Sequence, residues 1–266
     1  MTPPSRTIDD GVAAELAELL HGALLTGQPI PALTESRPTL TLADGYAVQQ
    51  GVVARLLDAG DRVIGYKLGL TSAPMQQLLG VDSPDLAPVF VSHLNPDGAA
   101  IPAARFIAPR IEAEIAFVLG GDLSGPDCTP AQVLAATSGV STALEIVDSR
   151  IADWKIKLAD TVADLASCGA IVLSGQVVPL DFDIRLAGMV LTCNGELIAT
   201  AAGAAALGNP AAAIAFLVQT LHGFGENLLA GQVVMTGALH AAVPIHPGQV
   251  YRAEIDRLGP VTVRIT

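Results

Sequence analysis

The chain is poor in charge, and poorest in positive charge. Of its 266 residues only 15% are charged, and 14 Lys and Arg stand against 26 Asp and Glu, for a formal net charge of -12. A general field of that sign opposes binding to nucleic acid or to an anionic membrane. An anionic small molecule must therefore meet a local positive centre, which a metal ion would supply. Cysteine is scarce as well. Cys128, Cys168 and Cys193 show no C-x-x-C spacing, so neither a disulfide framework nor a zinc site is expected, and a reducing cytosol fits. The five histidines (His21, His93, His222, His240 and His246) show no ligand spacing and read as structural or surface residues. There is no G-x-G-x-x-G after a strand pattern, no G-x-S-x-G, no H-E-x-x-H and no internal repeat. The N-terminal residues lack the apolar stretch of a secretory signal.

What remains is apolar. At 51% hydrophobic residues the chain has enough material for a substantial core and does not look disordered. Val12, Leu16, Leu19, Leu20 and Leu24 fall at three- and four-residue steps and predict a helix over Ile8–Leu25. A proline-punctuated linker follows to about Pro38, then a second helix over Leu40–Leu57, closed by Asp58-Ala59-Gly60. These helices suggest an N-terminal helical part over 1–60, ahead of a strand-rich part over 61–266. Expected strands are Arg62–Leu70, Val89–Leu94, Pro109–Leu119, Thr142–Asp148, Gln232–Thr236, Val250–Ile255 and Val261–Ile265. A hairpin over Gly188–Ala199 turns at Asn194-Gly195. A short helix over Thr71–Leu79 with Ser72 as its cap, and a turn over Val81–Asp85, lie between the first two strands. Leu197–His222 carries no charged residue but is broken by glycines and Asn209-Pro210, which predicts a buried helix over Pro210–Leu221 rather than a membrane span.

Two stretches carry chemistry. In Pro109–Leu119, reading P-R-I-E-A-E-I-A-F-V-L, Glu112 and Glu114 alternate with apolar residues and share one strand face. Their backbones lie roughly 6.5–7 Å apart, close enough for both carboxylates to lean onto one hard cation. The competing reading is a half-exposed strand with its glutamates in water. Glu145 sits in T-A-L-E-I-V-D, a continuous apolar run that looks buried on both faces. A buried carboxylate needs a cation beside it. Three carboxylates would make an oxygen-only site, suited to Mg²⁺ or Mn²⁺ and not to Zn²⁺. Lys67 lies in R-V-I-G-Y-K-L-G-L, and the chain has only two other lysines, Lys155 and Lys157. It is either an acid or base with a depressed pKa or a lysine snorkelling from a strand edge. The glycines around it mark a bulge or a close backbone approach. Asp85 in its turn is a candidate site residue or an Asx cap. Trp154 is most simply core or interface. Arg110 and Arg150 flank the glutamate strands, with no direction readable for their side chains.

In order along the chain, G-Y-K-L-G-L-T-S (65–72), D-S-P-D (82–85), P-R-I-E-A-E-I-A-F-V-L (109–119), A-L-E-I-V-D-S-R (143–150), D-T-V-A-D-x-A-S-C-G (160–169) and M-T-G-A-L (235–239) together resemble the 2-keto-4-pentenoate hydratase and 4-oxalocrotonate decarboxylase family of the fumarylacetoacetate hydrolase superfamily. The resemblance implies an α+β fold, with a mixed β-roll or sandwich core preceded by helices and assembled into homo-oligomers. It implies that Glu112, Glu114 and Glu145 hold a divalent metal, Mg²⁺ or Mn²⁺. Lys67 would act in proton transfer with Asp85 lining the site, and the loop of Leu165, Ser167 and Cys168 would approach the substrate. Two departures lie near the expected pocket: Leu165 where the family commonly has asparagine, and Leu86-Ala87-Pro88 where it commonly has an aromatic and a glycine.

The activity so implied is a metal-dependent hydratase that converts a 2-hydroxy-2,4-dienoate to a 4-hydroxy-2-oxo acid in the cytoplasm, as part of aromatic catabolism. The alternatives are a 2-oxo-3-enedioate decarboxylase using the same enolate, a C–C bond hydrolase, and a non-catalytic partner subunit. Association with a pathway decarboxylase or aldolase is a further expectation.

Overall fold

The computed structural model describes residues 5–71, 76 and 83–266. The helix expected over 71–79, with its Ser72 cap, and most of the turn expected over 81–85 fall outside the described residues.

The N-terminal helices form where the apolar periodicity and the caps agree. Helix α1, Asp10–Thr26, is capped by Asp9, whose side chain accepts from the Val12 N–H, and it closes on Gly27 in the left-handed region. A short helix α2, Leu33–Ser36, interrupts the expected linker. Helix α3, Leu42–Asp58, opens with a capping box between Thr41 and Asp44. Asp44 also accepts from the Thr7 backbone and hydroxyl, which ties the start of the chain to α3. The two long helices cross closely at Gly51, where a Cβ would come within 2.7 Å of the Ala17 Cβ. Leu16, Leu20, Val48 and Val52 form an apolar cluster with Phe90, Ile151 and Leu165, so these helices share a core with the rest of the chain.

Two mixed sheets make up most of the remainder. The strands of the larger are β1 (Val63–Gly69), β2 (Asp85–Phe90), β3 (Leu94–Pro96), β5 (Arg110–Leu119), β6 (Thr137–Val147), β7 (Cys168–Leu173), β10 (Val233–Met235) and β11 (Val243–Pro244). They run in the order β2-β1-β10-β5-β6-β7-β3, with β11 also paired to β5. β10 is parallel to β1 and antiparallel to β5, so a C-terminal strand joins two N-terminal ones. The smaller sheet has the order β4-β13-β12-β8-β9, built from β4 (Ala100–Ile101), β8 (Gly188–Cys193), β9 (Glu196–Ala202), β12 (Val250–Ile255) and β13 (Gly259–Ile265). β8 and β9 form the expected hairpin, with Asn194 and Gly195 both at positive φ. Leu144 and Ile146 of β6 meet Tyr251, Val261 and Val263 of the smaller sheet in the main core.

The sequence pattern misplaces one strand. Val89–Leu94 is not a single strand: β2 begins at Asp85 and ends at Phe90, a 3₁₀ turn covers Val91–His93, and β3 follows. β2 is set by its pairing with β1, from Gly69 opposite Asp85 to Val63 opposite Phe90. Pro88 is tolerated because β2 is an edge strand. The glycines of β1 behave as the pattern suggests. The ladder is irregular between Val63 and Gly65, and a Cβ on Gly65 would meet the Val233 carbonyl oxygen at 1.8 Å.

Helices α4 (Pro130–Ala136) and α6 (Pro210–Gly223) pack together, and α5 (Leu158–Ala163) packs on α3. The segment Gly203–Gly223 is long and apolar enough to cross a membrane by length and composition. In this fold Ile214, Leu217, Val218 and Leu221 of α6 are buried in the main core, and Asn209 caps the helix, as its sequence predicts.

Candidate metal centre and active site

Strand register assembles the three glutamates. β5 and β6 are antiparallel, with Glu112 directly opposite Glu145 and Glu114 opposite Ala143. Opposed residues share a face, so all three carboxylates point the same way. One oxygen of each lies within 4.8 Å of the others. Glu114 and Glu145 are fully buried, and Glu112 borders a cleft of about 270 Å³. The exposed-strand reading of this stretch therefore does not hold.

Like charges directly opposite on a ladder repel, and here burial removes the water that would screen them. Burial and the neighbouring carboxylates hold Glu112 and Glu114 above their ordinary values. One positive partner is present. Lys67 Nζ lies 2.9 Å from Glu145 Oε1, across the two strands that separate β1 from β6, and donates its directed hydrogen bond to the Ala166 carbonyl at 2.8 Å. Lys67 is thus neither a snorkelling surface lysine nor one with a depressed pKa. Burial alone would pull it down, but Glu145, with Cys168, Asp85 and Glu112 behind it, holds it above its ordinary value.

The arrangement fits a hard divalent cation. Glu145 Oε2 and Glu114 Oε1 are buried without a hydrogen-bond donor among the described residues, Glu145 Oε1 has the Lys67 ammonium beside it, and Glu114 Oε2 accepts from the Gly237 N–H at 2.8 Å. Three ionised glutamates less one ammonium leave two negative charges, which a dication cancels. The donors are all oxygen, the set that Mg²⁺, Mn²⁺ and Ca²⁺ prefer.

Asp85 is not a turn residue capping its own backbone. It is the first residue of β2, buried, with Oδ1 unpartnered among the described residues, and burial raises its pKa against the opposing pull of Lys67. It fits only because Gly69 faces it: a Cβ there would meet Asp85 Oδ1 at 2.1 Å. Lys67, Asp85, Glu112 and Ser167 line the same cleft.

Two expected substrate contacts lie elsewhere. Leu165 packs into the apolar cluster under α1 and α3, and Cys168 is buried against His93, with Sγ 3.5 Å from Nδ1. Neither lines the cleft. The backbone there is unusual: Leu165, Ala166 and Ser167 all have φ near +50°, and of this loop Ala166 and Ser167 face the opening while Leu165 and Cys168 on either side turn away. Arg150 braces this run from behind. It is buried, pairs with Asp164, and donates to the carbonyls of Asp164 and Cys168. Burial drives the neighbouring His93 down to about 4, with Arg150 and Arg105 adding to the effect.

Sequence reasoning missed several lining residues. Thr71 and Thr161 border the cleft, and both stand in the quoted motifs. Gly237, in M-T-G-A-L, has φ +95°, and a Cβ there would meet Thr71 Oγ1 at 2.0 Å. Trp154 is not core: it is half-buried at the cleft, with the Arg110 guanidinium 4.6 Å from its ring centroid. A larger cavity of about 520 Å³ lies against the C-terminal ends of α1 and α3, but its charged groups are spent on structure. Arg105 donates to the Ser92 carbonyl, Asp148 accepts from Ile107 and Ala108, and Arg150 is engaged as above.

Residues 63–266 match the family described as fumarylacetoacetate (FAA) hydrolase C-terminal. The chain is 43% identical over 262 residues to a 2-keto-4-pentenoate hydratase of Paraburkholderia xenovorans (strain LB400), covering 98% of this chain and 95% of that one. It is 38% identical over 261 residues to a 4-oxalocrotonate decarboxylase of Pseudomonas sp. (strain CF600), covering 98% and 99%. Among solved structures, the 4-oxalocrotonate decarboxylase of Pseudomonas putida G7, complexed with magnesium and adipate, superposes with a TM-score of 0.96 at 35% identity over 98% of this chain and all of that one. With the family match spanning both glutamate strands and Lys67, and whole-length relatives on either side of it, the chain belongs to the fumarylacetoacetate hydrolase C-terminal family.

Proposed function

We propose that this protein is a divalent-metal-dependent hydratase that adds water to 2-hydroxypenta-2,4-dienoate or a short alkyl homologue, giving a 4-hydroxy-2-oxo acid. One observation carries the reading: a cluster of three carboxylates, with unpartnered oxygens on Glu114 and Glu145, opens through Glu112 onto a cleft that a buried lysine and a buried aspartate also line. The full-length likeness to a hydratase supports it. Glu112, Glu114 and Glu145 would hold the metal, Mg²⁺ or Mn²⁺, which when bound supplies electrostatic stabilisation of the enolate charge.

The chain's own groups handle the protons. Lys67 keeps its proton because Glu145 and the Ala166 carbonyl face its ammonium. It donates to the terminal carbon of the dienoate and is reprotonated by the proton released from the 2-hydroxyl, which gives a 2-oxo-3-enoate. Asp85 offers an unpartnered oxygen to water. It takes a proton from that water as the oxygen adds to the fourth carbon, and returns that proton to the third carbon. Ser167, at the end of the left-handed run, presents its hydroxyl to the cleft beside Thr161, 3.3 Å away. Val147, Ile156 and Ala242 supply apolar walls that limit stray water.

The same reading takes the two sheets as a β-roll core behind the helical part at 1–60. It also makes the protein a cytoplasmic homo-oligomer that associates with a pathway decarboxylase or aldolase. A second reading, decarboxylation of a 2-oxo-3-enedioate, is favoured by the TM-score of 0.96 to a decarboxylase. The test is to incubate the Mg²⁺-loaded protein with 2-hydroxypenta-2,4-dienoate and with 2-oxohex-3-enedioate, and to identify products by NMR. Hydrated product from the first is expected. Rapid CO₂ release from the second with no hydration of the first would replace the hydratase by the decarboxylase.

A further inference from the structure

The cleft contains a cation that the proton-transfer scheme leaves unused. Arg110 starts β5, two residues before Glu112 and on the same strand face. Its cross-strand partner is Val147, which also lines the cleft. The Arg110 side chain forms no ion pair and donates no hydrogen bond among the described residues. Lys67, by contrast, is already committed to Glu145 and the Ala166 carbonyl. Arg110 is nevertheless not loose. Its guanidinium lies over the Trp154 ring, and the Trp154 indole N–H donates to the Ala108 carbonyl at 2.9 Å, two residues before Arg110 on the same run of chain. Asp153 and Trp154 both have φ near +55°, a costly backbone for residues other than glycine. Such strain persists where the surroundings fix it, and here it sets an aromatic face against a cationic plane.

We propose that Arg110, held over the ring of Trp154, binds the carboxylate end of the substrate and so fixes which way round the acid lies in the cleft. This rests on the hydratase reading above. There, Lys67 and Asp85 act on the far carbons of the dienoate, and they come from β1 and β2. The Lys67 ammonium stands beside Glu145, which faces Glu112, and Arg110 lies two residues further along β5, a backbone distance of about 6.5–7 Å. With the reacting carbons at Lys67 and Asp85, the carboxylate falls on the side of Arg110. A guanidinium with unspent donors is the group that grips a carboxylate through two parallel hydrogen bonds. In a chain of net charge -12 the cleft needs such a group to admit an anion. Stacking on Trp154 orients the fork in advance, so little freedom is lost on binding.

The test uses unreactive acids, so that binding is read apart from turnover. Calorimetry in saturating MgCl₂ would compare 2-oxovalerate, its methyl ester and 2-oxoadipate on the wild type, Arg110→Ala, Arg110→Lys and Trp154→Phe. Arg110→Ala is expected to weaken both acids by roughly 10- to 100-fold, the range for a lost hydrogen-bonding partner of a charged group, while changing the ester by less than about threefold. Arg110→Lys should fall between, since it keeps the charge and loses the fork. With a turned-over substrate, the loss should appear in KM more than in kcat. An equal loss for acid and ester would mean that Arg110 acts only by packing on Trp154, and would overturn the proposal. So would a loss confined to 2-oxoadipate, which would place Arg110 at the far end of the substrate. An intact acid–ester discrimination without hydratase turnover would sink the functional reading and leave this one standing.

Discussion

Replacing Lys67 with alanine separates its two roles. In the metal-free protein the ammonium is the positive partner of Glu145, at 2.9 Å and with both side chains almost fully buried. Removing it leaves Glu145 facing Glu112 across the ladder with Glu114 beside them. Breaking a buried ion pair from one side costs about 3–5 kcal/mol, because the remaining charge is stranded. For a chain of this length each kcal/mol moves Tm by about 2–4 °C, so Lys67→Ala in EDTA should melt roughly 6–20 °C below wild type. Saturating Mg²⁺ gives Glu145 a new cation and should recover most of that difference. Activity should not recover with it: kcat should stay down by about 10²–10⁴, the usual loss for a proton-transfer group. The assay is a set of four melts, wild type and variant each in EDTA and in Mg²⁺, with kcat measured in Mg²⁺. An equal Tm loss in both buffers would refute the idea that lysine and metal share Glu145, and unchanged kcat would remove Lys67 from the chemistry.

Two further outcomes follow from the same cluster. EDTA should abolish activity and Mg²⁺ or Mn²⁺ should restore it, while Glu114→Gln, which keeps the size and removes one charged oxygen, should lower metal affinity in a direct titration; full activity in a protein assayed as metal-free would exclude the site. Glu112 and Glu114 are held above the ordinary value of 4.5, so the folded metal-free protein keeps protons that the unfolded chain releases. Its stability is fully present below that value and declines as pH rises through the raised values. Tm in EDTA should therefore be lower at about pH 8 than at about pH 7, a window above that in which the buried His93 adds stability, and Mg²⁺ should shrink or invert the difference because it displaces those protons. A metal-free Tm that climbs over this range would contradict the burial of these carboxylates.

Much of this site was readable before the fold was known, and the limits have physical causes. Period-two alternation placed Glu112 and Glu114 on one face, and the apolar run around Glu145 marked a buried strand. Asn194-Gly195 and Asn209-Pro210 signalled their turn and cap through local chemistry alone. What local chemistry does not encode is strand order. That Lys67 meets Glu145 depends on β10 lying between β1 and β5, a pairing between distant parts of the chain. Asp85 read as a turn because D-S-P-D is turn-like, yet pairing with Gly69 draws it into β2. Leu165 and Cys168 were expected beside the substrate because their loop is there. Three consecutive left-handed residues, none of them glycine, redirect those side chains, and no propensity foretells such a run.

The position of β10 also bears on how the molecule comes into being on the ribosome. Val233–Met235 is made after the lysine strand and both glutamate strands have emerged, yet among the described residues it is the strand that joins the lysine strand to the glutamate pair. Until it arrives, β1 and β5 each offer a row of unsatisfied backbone groups to any passing strand. The nascent chain thus carries two sticky half-sites through most of its synthesis, and completion waits on a contact of long sequence separation, the slow kind. Chaperone demand during translation, and misassembly when translation stalls between residues 147 and 233, are built into the topology that brings the lysine to the glutamates.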